Sequence, residues 1–566
     1  MTATALPPGL RHESLEVGAA PLVRHFLDRL DLVGLFQQHL PKLPGRAPTL
    51  PSSAVLGLLV ANLLLARQPL YALPAWAARH VPEHLGLSAG QAALLNDDRT
   101  GRALDHLQRA DRASLLTALV VRAVGEFKID LSELHQDTTT VTLSGAYADQ
   151  PPTEQSNRPP RITFGYNKDH RPDLKQLLYS ITISADGAVP VHCKTYDGNT
   201  TDDAVHIDTW DFLRKLIGNA DFLYVADSKL CTRENLGHIA AGNGRFLTVM
   251  PRTRAEDAWF REHVPANAVL WPEVHRQPNP RRRDGPDLVY WGIEGPRRSV
   301  EGYRVLWYKS SQKAEQDSQS RRVRLDRAYA RLDALHKRAR PFKGHREAQQ
   351  AGQRVVEEEQ VERWLRVETR WEVQEEHKQV SPGRPGPDTQ YRRVEHWRFR
   401  PFFVEDAEAL KREALCDGLF PLLTNEESLS VKEALLKYKY QPFVEKRHEQ
   451  LKSVFAVAPV WLKNSGRVAS LLWLYYVVEL VQALLEREVR RQMEAAKVEY
   501  LLLYPEKRAS TAPTAELVLN ALEGHRRHRL LDEQGQELRR FHDELPAAAQ
   551  EVLRLLGVDT APYGLS

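Results

Sequence analysis

The sequence predicts an α/β protein of several domains, and three observations carry that reading. Residues 1 to about 125 are rich in Leu and Ala at helical spacing. From about residue 128 the texture turns to β-branched and aromatic runs. Those runs alternate with short helical segments in the order three strands, helix, strand, helix, strand. At 566 residues the chain is too long for one core, so three or four domains are expected.

Taken in order, "PLVRHFLDRLDLVGLFQQHL", "PSSAVLGLLVANLLLARQ" and "GRALDHLQRADRASLLTALVVRAVGEF" make 1–125 an all-helical domain, punctuated by prolines and the polar "NDDRTG". Residues 126–254 hold the alternating part. "HQDTTTVTL" is the first strand, and "LLYSITISADGAVPVHCKTY" is a hairpin turning at Asp186-Gly187. "DAVHIDTWDFLRKLIG" is a helix, "DFLYVAD" a short buried strand, "TRENLGHIAAG" a helix stopped by glycine, and "RFLTVMP" a strand.

Residues 255–414 break the rhythm with the Pro/Arg-rich "RQPNPRRRDGPD", strands such as "GYRVLWYKS", and the strictly alternating "LRVETRWEV". They read as a mostly β insertion with one long, basic helical excursion. Residues 415–467 resume with the strand "DGLFPLLTN" and the helices "SVKEALLKY" and "PFVEKRHEQLKSVF". Residues 468–566 form a helical C-terminal region, and no internal repeat is visible.

The net charge of +4 says little about partners. Its distribution says more: Lys309 to Glu347 carries twelve Lys or Arg against five acids, while Val356 to His377 carries eight acids against three bases. A basic block is usually a solvated helix face, but its sign is the one a polyanion-binding protein needs. Three scattered cysteines without CxxC spacing imply neither a disulfide framework nor a zinc site, and suit a reducing cytoplasm. The N-terminus has no signal-peptide pattern. "AVLGLLVANLLLA" is too short to span a membrane, and "VASLLWLYYVVELVQALLE" carries Glu479 and Gln482, so both read as buried helices and no membrane is expected.

Asp137 is an intruder in its strand, because aspartate is depleted from strands and a buried carboxylate is costly without a partner. Asp227 ends "FLYVAD" at its carboxyl end, where open α/β sheets place their sites. If the two strands lie side by side, their carboxylates converge and repel unless cations neutralise them. A pair of Mg²⁺ ions roughly 4 Å apart is the common solution in phosphodiester chemistry. A later ligand is offered by "YKYQPFVEKRHEQLKS", where Glu445, His448 and Lys452 share one helical face. The bland reading of that segment is an amphipathic surface helix.

At these residues the chain resembles the DDE transposases of bacterial insertion sequences, which have an RNase H-like catalytic fold. "HQDTTTVTLSG" is similar to the strand of the first Asp, and "LYVADSKL" to that of the second. "YKYQPFVEKRHEQLK" is similar to the third motif in the branch with the pattern Tyr-x2-Arg-x3-Glu-x6-Lys, with Tyr438, Glu445 and Lys452 on that spacing. Gln441 stands where Arg is expected, and Pro442 would start the helix. "GYNKDHRPDLKQ" and "VHCKTYDGNTTDD" also look like family signatures, and the branch commonly carries a β-rich insertion between the second Asp and the Glu.

The resemblance implies an RNase H-like core in two parts (126–254 and 415–467). It implies that Asp137, Asp227 and Glu445 bind two Mg²⁺ ions, with Mn²⁺ as the other candidate, to cut DNA and transfer 3′-hydroxyl ends. Tyr438, Gln441, Lys452, and Lys168 and Arg171 within "NKDHR", are the DNA contacts it implies. Element ends and target DNA are the expected partners, with 1–125 binding the ends. A homodimer on DNA is expected, with the C-terminal helices as its candidate contact, in a bacterial cytoplasm at the nucleoid. Three other readings stay open: a metal-dependent nuclease or resolvase of the same fold, a non-catalytic DNA-binding descendant, and a glycosidase using a carboxylate pair, which leaves Lys452 unexplained. His135 and His192 read as core histidines, and Trp291 and Trp307 as core residues of the insertion rather than platforms for an unpaired base.

Overall fold

The computed structural model describes residues 10–42, 48–143, 147, 158–166, 168, 171–279, 285–455 and 464–565, the side chains of 453–455 excepted. The chain divides into two units, one made of 1–248 and 436–566, the other of 249–435. Residues 249–254 and 415–435 therefore group with the inserted unit, which is wider at both ends than its 255–414 sequence outline.

In the first unit a five-stranded sheet runs in the order Pro190–Tyr196, Lys175–Ser184, Glu133–Leu143, Leu223–Ala226, Arg245–Val249. The first three strands pair antiparallel and the last two join in parallel. The helices His206–Ile217 and Arg233–Ala241 fall between the parallel strands in sequence, so the strand and helix order is the one the sequence texture predicts. The Glu133–Leu143 strand is held by its run of β-branched residues, with Thr138, Thr139, Thr140 and Val141 all buried.

The helices of the N-terminal region pack around Ser465–Ala495, a 31-residue helix whose whole apolar stretch is buried. It is long and apolar enough to cross a membrane, yet it serves as a core helix. Arg467 pairs with Asp105 at 2.7 Å, and Ser470 donates to the Leu104 carbonyl, which fixes one end against the helix Asp97–Arg109. At the other end Arg487 pairs with Asp186 at 2.6 Å and donates to the carbonyls of Phe127 and Lys128. Gly187 beside it has φ +80°, and a Cβ there would lie 2.8 Å from the Arg487 side chain, so the hairpin needs glycine on both counts.

Two expectations are corrected here. The N- and C-terminal regions are not purely helical: Arg11–Glu16 pairs antiparallel with Arg526–Leu531, which pairs with Glu537–His542. The C-terminal helices are also not free faces, since Ala515–Asn520 and Ala547–Leu556 pack on Ser465–Ala495 and bury Val518, Leu519, Val552 and Leu553. Their apolar spacing is spent on the chain's own core.

The inserted unit contains an antiparallel sheet in the order Leu419–Thr424, Arg304–Ser310, Leu288–Glu294, Glu273–Gln277. It also holds a two-stranded ribbon, Leu365–Gln379 with Tyr391–Glu405. It is less β-rich than expected, because Ser311–His336 and His345–Glu358 are both long helices, packed with the ribbon base around Leu325, Leu332, Val355, Val356 and Trp364. The basic block lies on these helices and is partly neutralised, as in Arg321 with Asp417 at 2.6 Å and Arg331 with Glu359 at 2.7 Å. Trp307 is buried and stacked on Phe260 with centroids 3.8 Å apart, a core residue as expected.

Candidate active site

Glu133–Leu143 and Leu223–Ala226 run parallel, with Leu134 opposite Tyr224 and His135 opposite Val225. Two residues further along each strand come Asp137 and Asp227. Asp137 is held by the pleat, its Oδ1 accepting from the Thr138 N–H at 2.8 Å. Asp227 caps a short 3₁₀ turn by accepting from the Lys229 N–H at 2.9 Å, and its carbonyl accepts from Thr248 Oγ1 at 2.6 Å. Both strand ends are thus fixed by local hydrogen bonds.

The two carboxylates perturb one another. Burial pushes the Asp137 carboxyl above the usual range, with Lys168, the Thr138 N–H and Lys452 pulling it back. Burial also raises Asp227, as does the negative charge of Asp137. The Tyr438 phenol, raised first by burial, is raised further by Asp227, Glu445 and Asp137 together. Tyr438 therefore sits within the field of all three predicted carboxylates.

Glu445 is exposed on the helix Gln441–Phe455, which Pro442 opens in its first turn. That helix docks on the Asp137 strand through Gln441. The Gln441 side chain is buried, meets His135 Nδ1 at 3.1 Å and donates to the Gln136 carbonyl at 3.3 Å. This corrects its expected role: a buried, engaged amide docks the helix and does not face DNA. His135, bonded also to Glu133 at 2.9 Å, is a satisfied core histidine as expected. On the same helix His448 is buried, with neither ring nitrogen hydrogen-bonded to any described residue, and its Nε2 lies 3.6 Å from Asp137 Oδ2. Burial, aided by Lys168, lowers its pKa to about 3, so the imidazole is neutral near pH 7.

Lys168 also differs from its expected role. Its ammonium donates to the Thr138 carbonyl at 2.7 Å and Thr138 Oγ1 at 3.1 Å, and pairs with Asp202 at 3.1 Å. It is a built-in counter-charge to the carboxylates rather than a free arm for DNA. Arg171 is exposed and bidentate to Asp173 at 2.8 Å. Asn167, Asp169 and His170 of the same stretch lie outside the described residues. Asp202, whose charge acts on both Asp137 and Asp227, was not singled out in the sequence. Its signal was the paired acid in "NTTDD", inside a stretch already marked for other reasons.

Asp137 and Asp227 are hard oxygen donors with too little positive charge around them, which suits Mg²⁺ completed by water and substrate phosphate. Among the described residues no three His, Cys, Asp or Glu side chains come close enough to hold one ion, so the Asp pair fits a cation while Glu445 is not drawn into a closed cluster with it.

Residues 12–121 match a domain of unknown function, DUF4277. No curated protein matches the chain. Among solved structures, the chain is similar to the piggyBac transposase in its synaptic complex with hairpin DNA, at 9% identity and a TM-score of 0.36, over 90% of this chain and 81% of that one. It is also similar to the Mos1 transposase in a paired-end complex with the left transposon end, at 11% identity and a TM-score of 0.14, over 36% of this chain and 61% of that one. Neither likeness reaches the level of a shared fold.

Proposed function

We propose that this protein is a DNA transposase of an insertion sequence, which binds element ends, cuts phosphodiester bonds and joins the freed 3′-hydroxyl ends to target DNA. The observation that carries the reading is the pair Asp137 and Asp227, placed at equal depth on neighbouring parallel strands and mutually destabilised. Asp137 and Asp227, with Glu445 from the docked helix, would hold Mg²⁺ or Mn²⁺, which supplies charge for the attacking and leaving oxygens of an in-line displacement.

The chain's own residues prepare that site. Lys168 keeps the carboxylates ionised without ligating, because its three donors are spent on Thr138 and Asp202. Gln441 and His135 set the position of the helix that carries Glu445 and Lys452. Lys452, two helical turns past Glu445, and Tyr438 would contact backbone phosphate, which positions DNA without reading sequence. A homodimer on two DNA ends and a bacterial cytoplasmic setting belong to the same proposal.

The test is incubation of the purified protein with DNA carrying the element's ends, with Mg²⁺ and with chelator. Metal-dependent nicking at the ends followed by joined products supports the reading. Nicking without joining leaves a nuclease or resolvase of the same chemistry. No metal-dependent cleavage, with DNA binding intact, sinks the reading in favour of a non-catalytic DNA-binding protein.

A further inference from the structure

A cavity of about 860 Å³ runs along the strand Pro190–Tyr196, the outermost strand of the five-stranded sheet, away from the Asp137–Asp227 pair. The helices Arg112–Phe127, His206–Ile217 and Ser465–Ala495 contribute to its walls. Its size is in the range of sites for small organic ligands.

The polar groups on these walls fall into two sets. The carboxylates are all engaged. Asp197 pairs with Arg158 at 2.6 Å and accepts from the Arg161 N–H at 2.7 Å. Asp208 pairs with Lys194 and accepts from the Tyr196 hydroxyl at 3.2 Å. Asp111 accepts from the Ser114 N–H at 3.1 Å and from its hydroxyl at 2.6 Å.

The donors are in the opposite condition. Arg112 makes no hydrogen bond or ion pair with any described residue; burial pulls its guanidinium below its ordinary value, and the one other group acting on it is the Cys193 thiol. His192 is 3% exposed and Trp473 6%, and each buries a ring nitrogen, Nδ1 and Nε1, without a hydrogen-bond partner among the described residues. A buried donor without an acceptor costs about 1–3 kcal/mol. An indole N–H can only donate and a guanidinium cannot lose its proton, so what these groups lack is an acceptor, and beside a cation an anionic one.

We propose that this cavity binds a phosphate-bearing ligand, whose oxygens accept from Arg112 and from the Trp473 and His192 ring nitrogens. His192 and Phe212, with centroids 4.6 Å apart, add an aromatic wall suited to the remainder of a nucleotide. The phosphate has two sources, a free nucleotide or the backbone of a nucleic acid. The inference does not depend on the DNA-cutting reading of the Asp pair.

The test is equilibrium dialysis of the full-length protein against dAMP and against inorganic phosphate, with a short DNA duplex as competitor. Saturable dAMP binding at one site per chain is expected, weakened roughly tenfold or more by Arg112→Gln. Trp473→Phe removes only the indole donor and should weaken binding severalfold, which keeps the test open if the Arg112 variant fails to fold. Arg554→Gln, an exposed residue paired with Glu551, serves as the charge control. Competition by the duplex assigns the site to backbone phosphate, and its absence to a free nucleotide. No saturable binding of dAMP or phosphate, or binding unchanged in both cavity variants, overturns the proposal.

Discussion

Gln441 and His135 are 306 positions apart in sequence and 3.1 Å apart in space, and through that contact the helix bearing Glu445 is seated on the strand bearing Asp137. The residue that looked like a weakened phosphate contact is therefore a joint between two catalytic segments. Gln441→Arg should not gain DNA affinity. A guanidinium at this buried position has no carboxylate beside it except Glu133, already held by His135 and Lys437, so a loss of about 2–4 kcal/mol in stability is expected. Urea denaturation measures it; a Gln441→Arg protein as stable as the parent, with tighter DNA binding, would refute the joint.

Asp137→Asn and Asp227→Asn should each abolish DNA cleavage, by a hundredfold or more, while the metal-free protein becomes more stable by about 1 kcal/mol. Both carboxyls are raised, so ionised forms are disfavoured in the native state; removing one relieves the repulsion on the other. Melting in chelator, set beside a cleavage assay, checks both halves.

Lys168→Met should move the acid limb of the cleavage profile to higher pH. The sign follows from Lys168 lowering the pKa of both Asp137 and Asp227; without it both rise, and the deprotonated pair forms only in more alkaline solution. A profile that keeps its acid limb while losing amplitude would assign Lys168 to substrate contact instead.

Glu479 lies fully buried on the central helix, both carboxyl oxygens unpartnered among the described residues, and burial raises its pKa to about 8. The native state therefore keeps a proton that the unfolded chain releases above its ordinary value of 4.5. Stability should fall as pH rises from about 4.5 to about 8 and level off above. Glu479→Gln should flatten that slope and gain roughly 2 kcal/mol at pH 8 while changing little at pH 4.5. Chemical denaturation at three pH values decides it, and equal slopes in the two proteins would rule it out.

Much of the site was legible because its residues contradict their surroundings. An aspartate inside a threonine–valine strand and another at a strand's end need an explanation that local propensity cannot supply. What stayed hidden was set by distance along the chain. Lys168 and Asp202 look like ordinary polar loop residues until the fold brings them against Thr138. The strand Arg526–Leu531, "RRHRLL", has no alternation to betray it, and is extended because Arg11–Glu16 pairs with it. The apolar helices after residue 468 advertised a partner correctly, but sequence alone could not say that the partner is the same chain.

That pairing of Arg11–Glu16 with Arg526–Leu531 bears on how the protein is born. Synthesis proceeds from the amino end, and the helices of the first hundred residues are packed around a spine, Ser465–Ala495, translated several hundred codons later. The inserted unit, whose contacts lie within 249–435, can settle while the ribosome is still at work. The unit with the Asp pair cannot, since its loops must close over very long separations. Until the last segments emerge, the early helices wait with their apolar faces uncovered, and a message cut short yields a chain that cannot assemble its carboxylates at all.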